Sequence, residues 1–326
     1  MKAIVASGGA SALADRPSPI AAPGDCVVRV RAALVTPADI RASRFAKEPI
    51  VLGQAFVGVV ESVTSDDAIG GVSDRARDGK QLLGKRVVVD PVIRCGRCDR
   101  CVGGLSQHCR ERTIIGLDGR DGGCAVQVAV PVRNLTPVPD GLDDDRASFA
   151  TLIASALEAT KHVRVEGKAY ITVLGDDIAT LVTAQVMSQL NAAVRIVAHA
   201  PATIAVAEKL GVKHRLADEV GRRGDQDVVV DCTGTAESLA FASALVRARG
   251  TVVLASLAHS QDLTGRADLA PIVLGELKVQ GSFYGPLHDA VDLLAHRGIE
   301  VTALIERRVV IDAALPLRQG TLIRCS

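Results

Sequence analysis

The chain has 326 residues, enough for two domains with sizeable cores, and its 48% hydrophobic and 23% charged residues describe a globular rather than a disordered protein. A net charge of +1 and an aromatic content of 2% without Trp give no electrostatic or base-stacking case for nucleic acid or an acidic membrane surface. The start, Met1-Lys-Ala-Ile-Val-Ala, lacks a secretory pattern, and no apolar run approaches the span of a bilayer. The expectation is a cytoplasmic protein in which the scattered Cys26, Cys124, Cys232 and Cys325 are reduced thiols.

Residues 1 to about 138 read as short strands broken by Gly and Pro. Lys2–Ala6, Asp25–Ala32, Val57–Thr64 and Lys85–Val89 are rich in Val and Ile, and Ala125–Val130 alternates before Pro131. The polar, Gly-containing stretch Gly70–Lys80 reads as a loop.

Within this half lies Cys95-Gly-Arg-Cys98-Asp-Arg-Cys101, followed after seven residues by Cys109. Short Cys-x-x-Cys links let thiolates close on one ion, and the longer return completes a tetrahedron. Four thiolates suit zinc and leave no open position for a substrate, so the site would be structural, one zinc per chain, in a lobe of about 94–110. Arg94, Arg97, Arg100 and Arg110 would help hold the thiolates deprotonated. Two disulfides, unconnected thiols or an iron–sulfur cluster are the competing uses of four cysteines.

From Asp140 the pattern changes. Asp143–Val163 carries helical spacing behind an acidic start. Strand Ala169–Leu174, a tight turn and a helix from about Ile178 to Leu190 follow. Strand Val194–Ala198, helix Thr203–Leu210, strand Asp227–Asp231, helix Ala236–Val246, strand Thr251–Leu257 and a last strand Leu277–Ser282 complete the series. Strands alternating with helices imply parallel crossovers and a doubly wound sheet.

The cysteine spacing, with Asp227-Val-Val-Val-Asp-Cys-Thr-Gly-Thr and Arg249-Gly-Thr-Val-Val-Leu, resembles the medium-chain dehydrogenase/reductase superfamily of the zinc-type alcohol dehydrogenase kind, over nearly the whole chain. The resemblance implies an α/β protein: a GroES-like β-barrel catalytic domain over 1–140, a Rossmann-like nucleotide-binding domain over 141–285, and a C-terminal return over 286–326. It also implies a homodimer or homotetramer.

Much of the implied reaction machinery is substituted. Where relatives carry a Cys-Gly-Thr-Asp-like motif, this chain has Thr36-Pro37-Ala38-Asp39, so the ligand Cys is Thr36 while the orienting Asp39 remains. Where they carry Gly-His-Glu, it has Gly53-Gln54-Ala55, and a further ligand position falls on Thr151, with Ser155 nearby. Hydroxyls and an amide are poor ligands for a divalent zinc, which prefers thiolate, imidazole or carboxylate. Thr36, Asp39, Gln54 and Thr151 are then a remnant pocket, or a zinc-free site that orients an unknown small molecule.

The glycine fingerprint Gly-x-Gly-x-x-Gly is matched by Gly175-Asp176-Asp177-Ile178-Ala179-Thr180, in which the first glycine alone survives. Asp177 is expected to cap the following helix and to stand in the place of the dinucleotide phosphate on the amides near Ile178 and Ala179. Thr180 would push the helix outward unless small neighbours compensate. Ala198 replaces the acid that would hold the adenosine ribose of NAD, and the next residue, His199, could face a 2′-phosphate, so on this point NADP is better tolerated. Two functions remain in view: a zinc-independent NAD(P)(H) oxidoreductase, or a catalytically inactive, non-redox protein that binds a ligand or partner.

Overall fold

The strand–helix alternation of the second half builds one six-stranded parallel sheet. Its strands lie in the order Lys213–Leu216, Ala192–Ala198, Ala169–Leu174, Gln226–Asp231, Val246–Leu254 and Lys278–Gly281. In chain order that is 3-2-1-4-5-6, so the winding reverses between Ala169–Leu174 and Gln226–Asp231, where Ile171 pairs with Val228. Val228, Val229 and Val230 are all buried, as a strand covered on both faces requires. This computed structural model describes residues 1–64, 80–164, 167–221, 223–256, 268–296 and 298–325. The loop expected over Gly70–Lys80 lies, up to residue 79, outside the described residues, as does Leu257.

The other unit is built on antiparallel strands. Asp25–Leu34 is its centre: it pairs with Ala55–Val63 on one side and with Thr321–Arg324 on the other, and also with Gln127–Pro131. Val28, Val30, Phe56, Val87, Val128 and Ile323 form its core. A separate small sheet of Val92–Ile93, Thr113–Ile115 and Gly119–Arg120 flanks the cysteine run. The fold is therefore α/β, with a GroES-like domain and a parallel-sheet, Rossmann-like domain. Among the described residues no helix is long and apolar enough to cross a membrane.

Several elements differ from the sequence expectation. The helix expected over Asp143–Val163 is two helices, Asp144–Ala147 and Ala150–Thr160. Asp143 caps the first by accepting from the N–H of Arg146 at 2.9 Å. The compact units are Met1–Thr151 with Pro286–Ser326, and Leu152–Gly285, so the break falls after Thr151 rather than after residue 140. Within the first unit, Asp144 is held by Arg31 at 2.8 Å and Arg86 at 3.0 Å, and Asp145 by Arg308 and Arg324. All four arginines belong to the first unit. Strand Lys213–Leu216 has no counterpart in the expectation. Its Lys-His-Arg-Leu sequence is polar because it is an edge strand, paired on one side.

Candidate functional site

The cysteine run folds as a loop that returns on itself. Cys98 precedes the single helical turn Asp99–Val102, and the 3-10 turn Ser106–His108 brings Cys109 back. The four sulfurs of Cys95, Cys98, Cys101 and Cys109 all lie within 4.8 Å of one another. Cys95 and Cys101 are 3.9 Å apart, as are Cys98 and Cys109. Sulfurs 2.3 Å from a tetrahedral zinc would stand about 3.8 Å apart, whereas a disulfide would need about 2 Å. The donor set and its spacing therefore fit a closed four-thiolate site.

The cause of the lowered thiols differs from expectation. Arg97 pairs with Glu111 at 3.0 Å, Arg110 with Asp99 at 2.8 Å and Arg94 with Asp90 at 2.9 Å, while Arg100 donates to the carbonyl of His108. Backbone amides act first instead. The N–H groups of Arg110 and Cys101 hold the Cys98 thiol down to about 6, and the N–H of Cys95 lowers Cys109, while desolvation pushes the Cys101 thiol up to about 12. Among the described residues these four cysteines are the one cluster of His, Cys, Asp or Glu able to hold a metal ion.

Thr36, Asp39 and Gln54 do meet. Thr36 is the N-cap of helix Pro37–Phe45, and with Asp39 it forms a reciprocal capping box. One oxygen of Asp39 accepts from the backbone N–H of Thr36 at 2.8 Å and from its hydroxyl at 2.7 Å. The other accepts from the N–H of Gly53 at 2.9 Å, and the N–H of Gln54 bonds to Asp39 as well. Asp39 is thus a clamp between two chain segments. Its burial is complete, and desolvation raises its pKa although every one of these bonds pulls the other way. Thr36, Gln54 and Thr151 are also buried, Thr151 in the first turn of helix Ala150–Thr160. A hydroxyl already given to a carboxylate, an amide and a second hydroxyl do not fit a reaction zinc.

The turn after strand Ala169–Leu174 keeps its glycine for a visible reason. Gly175 has φ +144°, and a Cβ there would stand 2.3 Å from the hydroxyl of Thr180. The missing side chain accommodates Thr180, so the expected outward push has its compensation across the turn. Asp177 is the N-cap of helix Ile178–Met187 and accepts from the N–H and the hydroxyl of Thr180, each at 2.8 Å.

Asp176 carries a contact that sequence spacing does not reveal. Its carboxylate accepts from the N–H of His199 at 3.0 Å and from that of Ala200 at 2.7 Å. Ala200 is the N-cap of helix Pro201–Lys209, so Asp176 serves the start of a helix 24 residues along the chain. Ala198 leaves the strand end without its own acid, yet a carboxylate arrives there from the turn. His199 lies with Nδ1 3.4 Å from Asp176, which qualifies its availability for a 2′-phosphate. Beside it is a cavity of about 400 Å³ lined by His199, Ala217, Asp218, Val220 and Phe241. The signal available in the sequence was the doubled Asp176-Asp177; one carboxylate caps its own helix and leaves the other for a neighbour.

Comparison with known proteins places this geometry. The family described as alcohol dehydrogenase GroES-like domain matches residues 22–140, and that described as zinc-binding dehydrogenase matches 180–297. The chain is 27% identical to an uncharacterized zinc-type alcohol dehydrogenase-like protein of Haemophilus influenzae, over 89% of this chain and 86% of that protein. It is 24% identical to an L-threonine 3-dehydrogenase of Chelativorans, over 91% and 88%. A zinc-binding dehydrogenase structure from Sinorhizobium meliloti bound to NADP superposes with a TM-score of 0.83 at 26% identity, covering 99% of this chain and 98% of that one.

Proposed function

This chain belongs to the medium-chain dehydrogenase/reductase superfamily, in its zinc-type alcohol dehydrogenase-like branch, and from that premise we propose an oxidoreductase that holds one structural zinc and works with NAD(P)(H) without a reaction zinc. One contrast carries the reading. The four thiols that would hold a structural ion are together and within 4.8 Å, while the ligand positions of a reaction ion are Thr36, Gln54 and Thr151. Cys95, Cys98, Cys101 and Cys109 would fix the lobe around a closed tetrahedron. The chemistry itself would come from the nicotinamide, which supplies or accepts hydride when bound. Asp39 positions the Thr36 and Gly53–Gln54 segments, whose neutral side chains supply no ligand set for Lewis-acid polarisation of a carbonyl.

A second reading has its own support. Both carboxylates of the turn are spent on helix caps, at Thr180 and at His199–Ala200, in the region where the fingerprint would receive a dinucleotide. On that reading the protein is non-redox and binds a different small ligand or a partner. Calorimetric titration of the purified chain with NADH and NADPH decides between them: heat and saturation support the oxidoreductase, and silence at millimolar cofactor supports the alternative. The chain is further proposed to self-associate through strand Lys278–Gly281, an exposed sheet edge next to the exposed Val273 and Leu274, which sedimentation would register as a dimer or tetramer.

A further inference from the structure

We infer that Asp176 sets the cofactor choice of this chain and sets it against the 2′-phosphate, so that NADH is taken in preference to NADPH; this rests on the nicotinamide reading above. In a doubly wound sheet the adenosine ribose lies at the end of the second strand, where an acid favours the free 2′-hydroxyl and an arginine favours the 2′-phosphate. Here that strand is Ala192–Ala198, and its terminal residue offers a methyl group. Sequence alone therefore points to tolerance of NADP. The structure brings a carboxylate to the same place from the preceding turn. Asp176 is bonded to the two amides that directly follow the strand, His199 at 3.0 Å and Ala200 at 2.7 Å.

Two features give this carboxylate its effect. It is fixed: a third contact, from the Thr203 hydroxyl to the Asp176 carbonyl at 3.3 Å, ties its backbone to helix Pro201–Lys209. It also retains solvent exposure, with about a third of the side chain open, so its charge faces whatever enters. The adjoining cavity of about 400 Å³ is lined, among the described residues, by His199, Ala217, Asp218, Val220 and Phe241, so Asp218 adds a carboxylate there. A phosphate dianion at this strand end would meet the Asp176 carboxylate, and the neighbouring base His199 already faces Asp176 at 3.4 Å. An unphosphorylated ribose would bring no charge against this carboxylate.

Like charges about 5 Å apart at an effective dielectric near 20 are enough for a preference of tenfold or more. The test is titration of the full chain with NADH and with NADPH, for the wild type and Asp176→Asn, with Asp176→Ser as a second variant should the first not fold. The expected result is NADH at least tenfold tighter in the wild type, and a ratio that falls severalfold in the variant through a gain for NADPH. NADPH equal or tighter in the wild type, or a ratio unmoved by removing the charge, overturns the assignment. If the wild type binds neither cofactor, the nicotinamide reading fails and this inference falls with it.

Discussion

Asp177 and Thr180 are joined twice, the carboxylate accepting both the backbone N–H and the hydroxyl at 2.8 Å, so the first turn of helix Ile178–Met187 carries its own anion. An anion at that place is what a helix N-terminus favours, and here it is supplied by the chain. A phosphate brought within about 5 Å of it would be opposed by roughly 3 kcal/mol. Replacing Asp177 by Gly is expected to raise NADH affinity by about a hundredfold while costing a few tenths of a kcal/mol of stability. Calorimetry on the variant measures the first and denaturant unfolding the second. Unchanged affinity would mean that the carboxylate does not stand in the phosphate's way.

The packing of Thr180 against Gly175 gives an independent stability prediction. Gly175→Ala places a Cβ 2.3 Å from the Thr180 hydroxyl, at a φ that side chains rarely adopt. A loss of about 2–3 kcal/mol is expected. Because part of that cost is the collision, the double variant Gly175→Ala/Thr180→Ala should lose less than the two single variants summed, and a double-mutant cycle in urea reads the difference.

Metal content tests the cysteine lobe. Elemental analysis is expected to give one zinc per chain, removed by a strong chelator with a fall in the thermal midpoint. Cys98→Ser should lose the metal and lower the midpoint by roughly 5 °C or more. Two zinc ions per chain would mean that the Thr36 and Gln54 region binds metal after all.

The buried clamp Asp39 predicts a pH dependence with a definite sign. Burial raises its pKa in the folded state, so its contribution to stability is complete below the unfolded carboxylate value of about 4 and is lost as the pH rises through the folded value. Asp39→Asn cannot titrate. The stability of the wild type minus that of the variant should therefore shrink as pH is raised from about 4, measured by urea unfolding at a series of pH values. A difference that grows with pH would show that the hydrogen bonds from Thr36, Gly53 and Gln54 outweigh desolvation.

The amino-acid sequence by itself determined the elements whose cause is local. Val-rich strands alternating with helices specify a parallel sheet, because each crossover must return to the same edge direction. The cysteine spacings bring four thiols into one loop, since all lie within fifteen residues and short links restrict their reach. The cap at Asp177 was legible for the same reason, its partner Thr180 being three residues away. Tertiary structure decided the rest. Arginines from opposite ends of the chain converge on Asp144 and Asp145, and Lys213–Leu216 becomes a strand because a neighbour's edge receives it, not because its own residues favour one. Asp176 reaches His199 and Ala200 across adjacent strand ends, and Asp39 joins Thr36 to Gly53 across the chain. Such contacts depend on register and on distances in space, and no spacing along the chain encodes either.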